Sequence, residues 1–244
     1  MPKVLPLCSA LLLLNFAAPD ALADASLIYA GEQPMRIDVS DGVVRMSQGD
    51  GGEAIIYNTK TGTLLQLDPR SKSYMKIDDE LMNKMGDQMA QMRKQMEAQL
   101  ANLPAEQREA LMANLPGVGP ATEKRSAPKP SFSGETGKYG GVKCRVATAE
   151  INGATESMCL ADAKGLGISG GDFKTILAMF SAMQDMAAQF SNEDAGPDLA
   201  SVGAIPVYNT GDESSTLEKV LTDDLEPALF APPADYQPRS MPGM

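Results

Sequence analysis

The residues of this chain with the least usual chemistry are its sulfur bearers: 16 methionines and 3 cysteines, in a sequence with no histidine and no tryptophan. Met82, Met85, Met89, Met92 and Met96 recur at spacings of three and four residues, and Leu100 and Leu103 extend the series. That period lines one face of a helix. Three chemistries fit such a stripe. Methionine is a soft gap-filler, so the face can simply be core. Its flexible, polarizable thioether also suits an adaptable surface that grips a lipid, an acyl chain or a hydrophobic peptide. Thioethers at M-x-x-M and M-x-x-x-M spacing are, lastly, ligands for Cu(I). The missing histidine and the strictly amphipathic pattern weigh against a dedicated copper site.

Of the cysteines, Cys8 lies in an apolar leader and Cys144 and Cys159 lie far downstream. Val142–Ile151 and Ala154–Ala161 read as strands around Asn152-Gly153, a strong hairpin-turn signal. A two-residue turn there sets Cys144 opposite Ala161, one diagonal step from Cys159 and on the same face. A bulge or longer loop would instead oppose the two sulfurs directly. In an oxidising compartment this pair predicts a disulfide, worth roughly 3 kcal/mol for a loop of this size. Redox-active dithiols more often sit as C-x-x-C, which this pair does not.

One short stretch looks catalytic. Gly165–Gly170 fits G-x-G-x-x-G, and Gly167–Gly171 fits G-x-S-x-G around Ser169. A dinucleotide site needs a βαβ setting, and here an antiparallel hairpin precedes the loop. A serine nucleophile of this type needs a histidine, and the chain has none. A glycine-rich approach to a helix accounts for both patterns. No pairing of base and nucleophile is visible elsewhere, so the expectation is a protein that is not an enzyme, with no cofactor and no metal.

The elements that must position these residues follow from charge and periodicity. With 21 Lys+Arg against 32 Asp+Glu the net charge is −11, which disfavours nucleic acid as a partner. The acidic pairs lack the spacing of a calcium loop. Residues 1–23 carry Lys3, an apolar run and the small-x-small site Ala21-Leu22-Ala23. They read as a secretory signal peptide cleaved after Ala23, too short to span a bilayer. Residues 25–77 alternate in short strands broken by turns such as Asp41-Gly42, the pattern of an antiparallel sheet. Asp78-Asp79-Glu80 then supplies an N-cap and an acidic first turn for the methionine helix. Pro104 opens a second helix over 105–113. Residues 117–136, rich in Pro, Gly, Ser and charge, read as a flexible linker. After the cysteine hairpin, Phe173, Ile176, Leu177, Phe180, Met183, Ala187 and Phe190 mark an amphipathic helix over 172–190, followed by strands over 204–209 and 215–222. The class is α+β.

Several signatures together resemble a known group. They are Tyr57-Asn58, Lys60-Thr61-Gly62, Leu64, Leu67-Asp68, Lys72 and Tyr74; then Tyr139–Cys144, Ile205-Pro206-Val207, and Leu225, Pro227, Leu229-Phe230, Pro233 and Tyr236. The chain resembles a family of exported bacterial proteins of unknown function, similar to the outer-membrane lipoprotein carrier LolA and receptor LolB. The resemblance implies a curved antiparallel sheet, an incomplete barrel with helices on its concave side, and a periplasmic address. On that reading residues 24–244 form one domain with a Met-rich helical insertion at 78–116. Its expected partner is an apolar ligand or an envelope protein. Met82, Met85, Met89, Met92, Met96, Phe173, Leu177 and Phe180 are the candidate contact residues. The alternative is a structural or stress-related envelope protein whose methionine face is sealed core.

Overall fold

The computed structural model describes residues 23–32, 34–49, 51–101, 127–190, 196–210 and 214–240. It is an α+β fold built on one twelve-stranded sheet. Six strands come first: β1 (Ala25–Gly31), β2 (Met35–Ser40), β3 (Val43–Gln48), β4 (Ala54–Asn58), β5 (Thr63–Asp68) and β6 (Ser73–Ile77). Helix α1 (Asp79–Ala101) follows, then β7 (Ser131–Tyr139), β8 (Val142–Ile151) and β9 (Ala154–Ala161). Next come α2 (Ala163–Leu166), α3 (Gly170–Phe190), α4 (Leu199–Val202), β10 (Ile205–Asn209) and β11 (Ser215–Leu221). A 3-10 turn at Pro227–Phe230 and β12 (Gln237–Pro238) finish the described chain. The order across the sheet is β12-β6-β5-β4-β3-β2-β1-β11-β10-β9-β8-β7. Every pairing is antiparallel except β12 with β6. Two meanders are thus stitched together by β1 and β11.

The tight turns explain the pairing. Asp41-Gly42, Gly140-Gly141 and Asn152-Gly153 each form a two-residue hairpin in which both φ angles are positive. Such turns match the right-handed twist of the flanking strands. Asn152-Gly153 fixes the register at Ile151↔Ala154, so Val146 faces Cys159 with no bulge between β8 and β9. Cys144 therefore lies one diagonal step from Cys159, and the two form a disulfide with Cα atoms 5.4 Å apart. Direct opposition is not required, because this diagonal is close enough to fall within the usual Cα separation of a disulfide. Gly137 of β7 lies directly beneath it: a Cβ there would come 3.0 Å from the Cys159 sulfur.

The disulfide end of the sheet curls. Four strand spacings separate β7 from β11, about 19 Å in a flat sheet. Yet Gly140, in the β7–β8 turn, sits so close to β11 that a Cβ would lie 2.5 Å from the Leu217 carbonyl oxygen. The contact falls where the β1–β11 register shifts. Tyr139 of β7 also stacks on Tyr208 of β10, ring centroids 4.5 Å apart.

Each sheet face has its own cover. Ala25, Leu27, Tyr29, Ile37, Val39 and Val44 point to the face that receives α3, and pack with Phe173, Ile176 and Met179 in one core. Tyr29 reaches across this core to donate a hydrogen bond from its hydroxyl to the Pro206 carbonyl, 3.0 Å away; burial pushes its phenol pKa well up. On the opposite face, Tyr236 from the C-terminal segment packs with Ala54, Ile56 and Leu67. Lys72–Asp235 and Arg239–Asp68 contacts fasten that segment to the β5–β6 turn.

The structure departs from expectation in strand β7 and in two short helices. Strand β7 begins at Ser131, inside the stretch read as linker; with little alternation of its own, it is a strand because it pairs with β8. The short helices α2 and α4 have no periodic signal and are defined by Asp162 and Asp198 caps and by Gly167 and Gly203 at their ends. The helix expected over 105–113 lies outside the described residues, as does the leader but for Ala23.

Candidate functional site

Helix α1 starts one residue after β6 ends, which tethers its first turn to the sheet edge. Asp78 caps it, accepting the Leu81 N–H at 3.1 Å, while Lys76 reaches the same carboxylate at 2.8 Å. The lysine contact first, then the Leu81 N–H, holds the Asp78 carboxyl below its ordinary pKa. This junction places Met82 and Met85 beside Met75 and Ile77 of β6. From the other side α3 brings Met183, Met186 and Ala187. Together with Gln66 of β5 these residues line a cavity of about 420 Å³. Five of its eight lining residues are methionines, from three elements. Residues three apart on a helix share a face, so Met82/Met85 and Met183/Met186 approach the cavity as two pairs.

A second cavity, of about 310 Å³, lies on the other flank of α3, lined by Met158, Phe180, Leu199, Pro206 and neighbours. Met183 and Ala187 line both. The Gln184 side chain donates to the Pro197 carbonyl and ties the helix to the loop that closes this flank. The C-terminal half of α3 thus runs between two apolar hollows. Its N-terminal half is pressed onto the sheet, with Ile176 and Met179 both fully buried.

The methionine stripe divides in the structure. Met82 and Met85 line the methionine-rich cavity, Met96 is half-buried, and Met92 is 64% exposed; the Met89 side chain lies outside what the structure describes. Exposure does not simply grow along this face, because Leu100 near the end of α1 is buried again. The α3 candidates divide too. Phe173 is buried core, Leu177 packs at the junction of two core clusters, and Phe180 lines the smaller cavity. Sequence reasoning missed Met75, Met186, Gln66 and Ile77. The repeated M-x-x-M at 82–85 and 183–186 was the available signal for Met186; nothing marks Met75 except its place in a strand.

The catalytic-looking serine has a structural task. Ser169 Oγ accepts the Asp172 N–H at 2.9 Å and donates to the Asp172 carboxylate at 2.7 Å, a reciprocal cap at the start of α3. Burial raises the Asp172 pKa, with the serine hydrogen bond opposing it. Asp38 is the one buried charged residue among those described. It lies on the sheet face away from α3, held by Arg36 Nε at 2.7 Å and Ser26 Oγ at 2.6 Å. Among the described residues no three His, Cys, Asp or Glu side chains form a metal-binding group. No described helix is long and apolar enough to cross a membrane.

No protein-family model matches the chain, and no curated protein matches it. Among solved structures it is similar to one described as "Structure of PNGF-II in C2 space group", at 11% identity and a TM-score of 0.40. That match covers 90% of this chain and 31% of the other, so the chain spans about a third of that protein's length. A likeness this slight carries no argument about fold or activity.

Proposed function

We propose that this is a non-enzymatic, exported protein that holds an apolar ligand of acyl-chain type between its sheet and its two long helices. The observation that carries the reading is the 420 Å³ cavity between β5, β6, α1 and α3, lined by five methionines. Ligand pockets are typically concave, a few hundred Å³ in volume and mostly apolar, with a small number of polar groups for orientation. Gln66 is the polar group here. Flexible thioethers suit a ligand that varies in length or saturation, because they repack at little cost. The signal-like leader, the disulfide and the resemblance to LolA- and LolB-type proteins support a periplasmic address and a curved, partly closed sheet. N-terminal sequencing of protein secreted by a Gram-negative host should begin at Asp24.

The test is binding of a fluorescent fatty acid to the purified protein. Met85→Glu and Met183→Glu place a carboxylate in the cavity wall and should each lower affinity at least about tenfold, because an unpaired charge is costly in an apolar site. Met92→Glu, on the exposed side of α1, should leave binding unchanged. No saturable binding by the parent protein, or equal binding by all four proteins, refutes the proposal and favours a sealed structural role.

A further inference from the structure

We infer that the same cavity is a binding site for a soft monovalent metal ion, Cu(I) or its analogue Ag(I), through methionine thioethers drawn from separate elements. This goes beyond the acyl-ligand reading and does not depend on it. A single helical stripe is a poor metal site, since one face of one helix spreads its sulfurs along a line. The structure assembles the donors differently. Met82 and Met85 come from α1, Met183 and Met186 from α3, and Met75 from β6, all onto one cavity. Methionine is 16 of the chain's 244 residues but five of the eight that line this space. The packed half of α3 seals itself with Phe173, Ile176 and a single methionine, Met179. Apolar packing alone therefore does not demand this residue type.

The donor set selects the ion. Thioethers are neutral and soft, which suits Cu(I) and not the hard or borderline dications that prefer carboxylate, carbonyl or imidazole. The chain has no histidine, and no carboxylate lines the cavity. An apolar wall with neutral ligands also disfavours a doubly charged ion more than a singly charged one. Cys144 and Cys159 are joined to each other, so no thiolate of the described residues competes for the metal.

The test uses the full chain carrying Cys8→Ser, titrated with Ag(I) by calorimetry and with Cu(I), held reduced by ascorbate that leaves the disulfide intact, against a chromogenic Cu(I) chelator. Two paired variants, Met82→Leu/Met85→Leu and Met183→Leu/Met186→Leu, remove thioethers while nearly conserving volume and apolarity. Met92→Leu is the control, since that side chain is 64% exposed. The expected result is one ion per chain for the parent and the control, with affinity lowered about tenfold or more in each paired variant through loss of soft donors. Thermal melts within a few degrees of the parent's confirm that the variants fold. No binding by the parent, undiminished binding in both pairs, or an equal loss in Met92→Leu overturns the inference. Failure of the parent to take up the fluorescent fatty acid, with its metal binding intact, rejects only the acyl-ligand reading.

Discussion

The two halves of α3 carry the same kinds of side chain to opposite ends. Met179 is fully buried against the sheet, while Met183, one turn further on, borders two cavities. The two lie four residues apart on one face of the helix, although only Met183 falls in the apolar series read from the sequence. The difference lies beneath the helix. Its first half rests on β1, β2 and β3, whose Leu27, Ile37, Val39 and Val44 fill the interface. Its second half passes toward β5 and β6 on one flank and β9 and β10 on the other, where the opposing side chains leave space. A methionine is core or binding wall according to what faces it.

The sharpest way to break this comparison is to truncate both residues. Met179→Ala opens a void in a packed interface and should cost about 2–5 kcal/mol of unfolding free energy. Met183→Ala enlarges space that already exists and should cost under about 1 kcal/mol. Denaturant unfolding curves for both variants check this. Equal losses would mean that the second half of α3 is as sealed as the first.

Reduction of the Cys144–Cys159 disulfide should have the next effect, about 3 kcal/mol by loss of the constraint on the unfolded chain. Its influence belongs to the curled end, where Gly137 and the β7–β8 turn pack close. Hydrogen exchange should therefore speed up in β7–β9 and stay slow in β2–β4. Uniform acceleration would show that the two meanders unfold only together.

The smallest change tests how α1 is held over the cavity. Asp78→Ala removes the N-cap and should lower stability by less than either change above. Because the Asp78 carboxyl is held below its ordinary pKa by Lys76 and then by the Leu81 N–H, this contribution is present at neutral pH. It is lost as pH falls through the carboxyl's lowered folded pKa, below its ordinary value. Parent and variant stabilities measured from pH 7 down to pH 3 should converge. A gap that persists unchanged at low pH would show that the cap acts without its charge.

Much of this fold was legible in the sequence, for local reasons. Asp41-Gly42 and Asn152-Gly153 dictate two-residue turns, and the second sets the register that makes the Cys144–Cys159 diagonal a disulfide. Asp78 announces the start of α1, whereas Ser169 shows itself as the cap of α3 only in the structure. The candidate site was half legible. Periodicity found the methionines of α1 and most of the contacting face of α3, because those lie on one helix each. It could not show that Met82 and Met85 line a cavity while Met92 is exposed, which depends on what packs against each turn of α1. Nor could it bring Met75 and Met186 to the same hollow, because that convergence is set by the sheet order β6-β5-β4-β3-β2 and by α3 crossing it. Strand β7 was hidden for a similar reason: its residues alternate weakly, and pairing with β8 defines it.

The account stands or falls on whether the methionines around the cavity, and not methionines in general, meet a ligand. Labelling every methionine methyl with ¹³C and titrating the protein with dodecanoate reads each one separately by NMR. The account predicts saturable shifts at Met75, Met82, Met85, Met183 and Met186, with Met179 and Met92 unmoved. Shifts spread equally over Met92 and the cavity residues, or none at saturating dodecanoate, would contradict it.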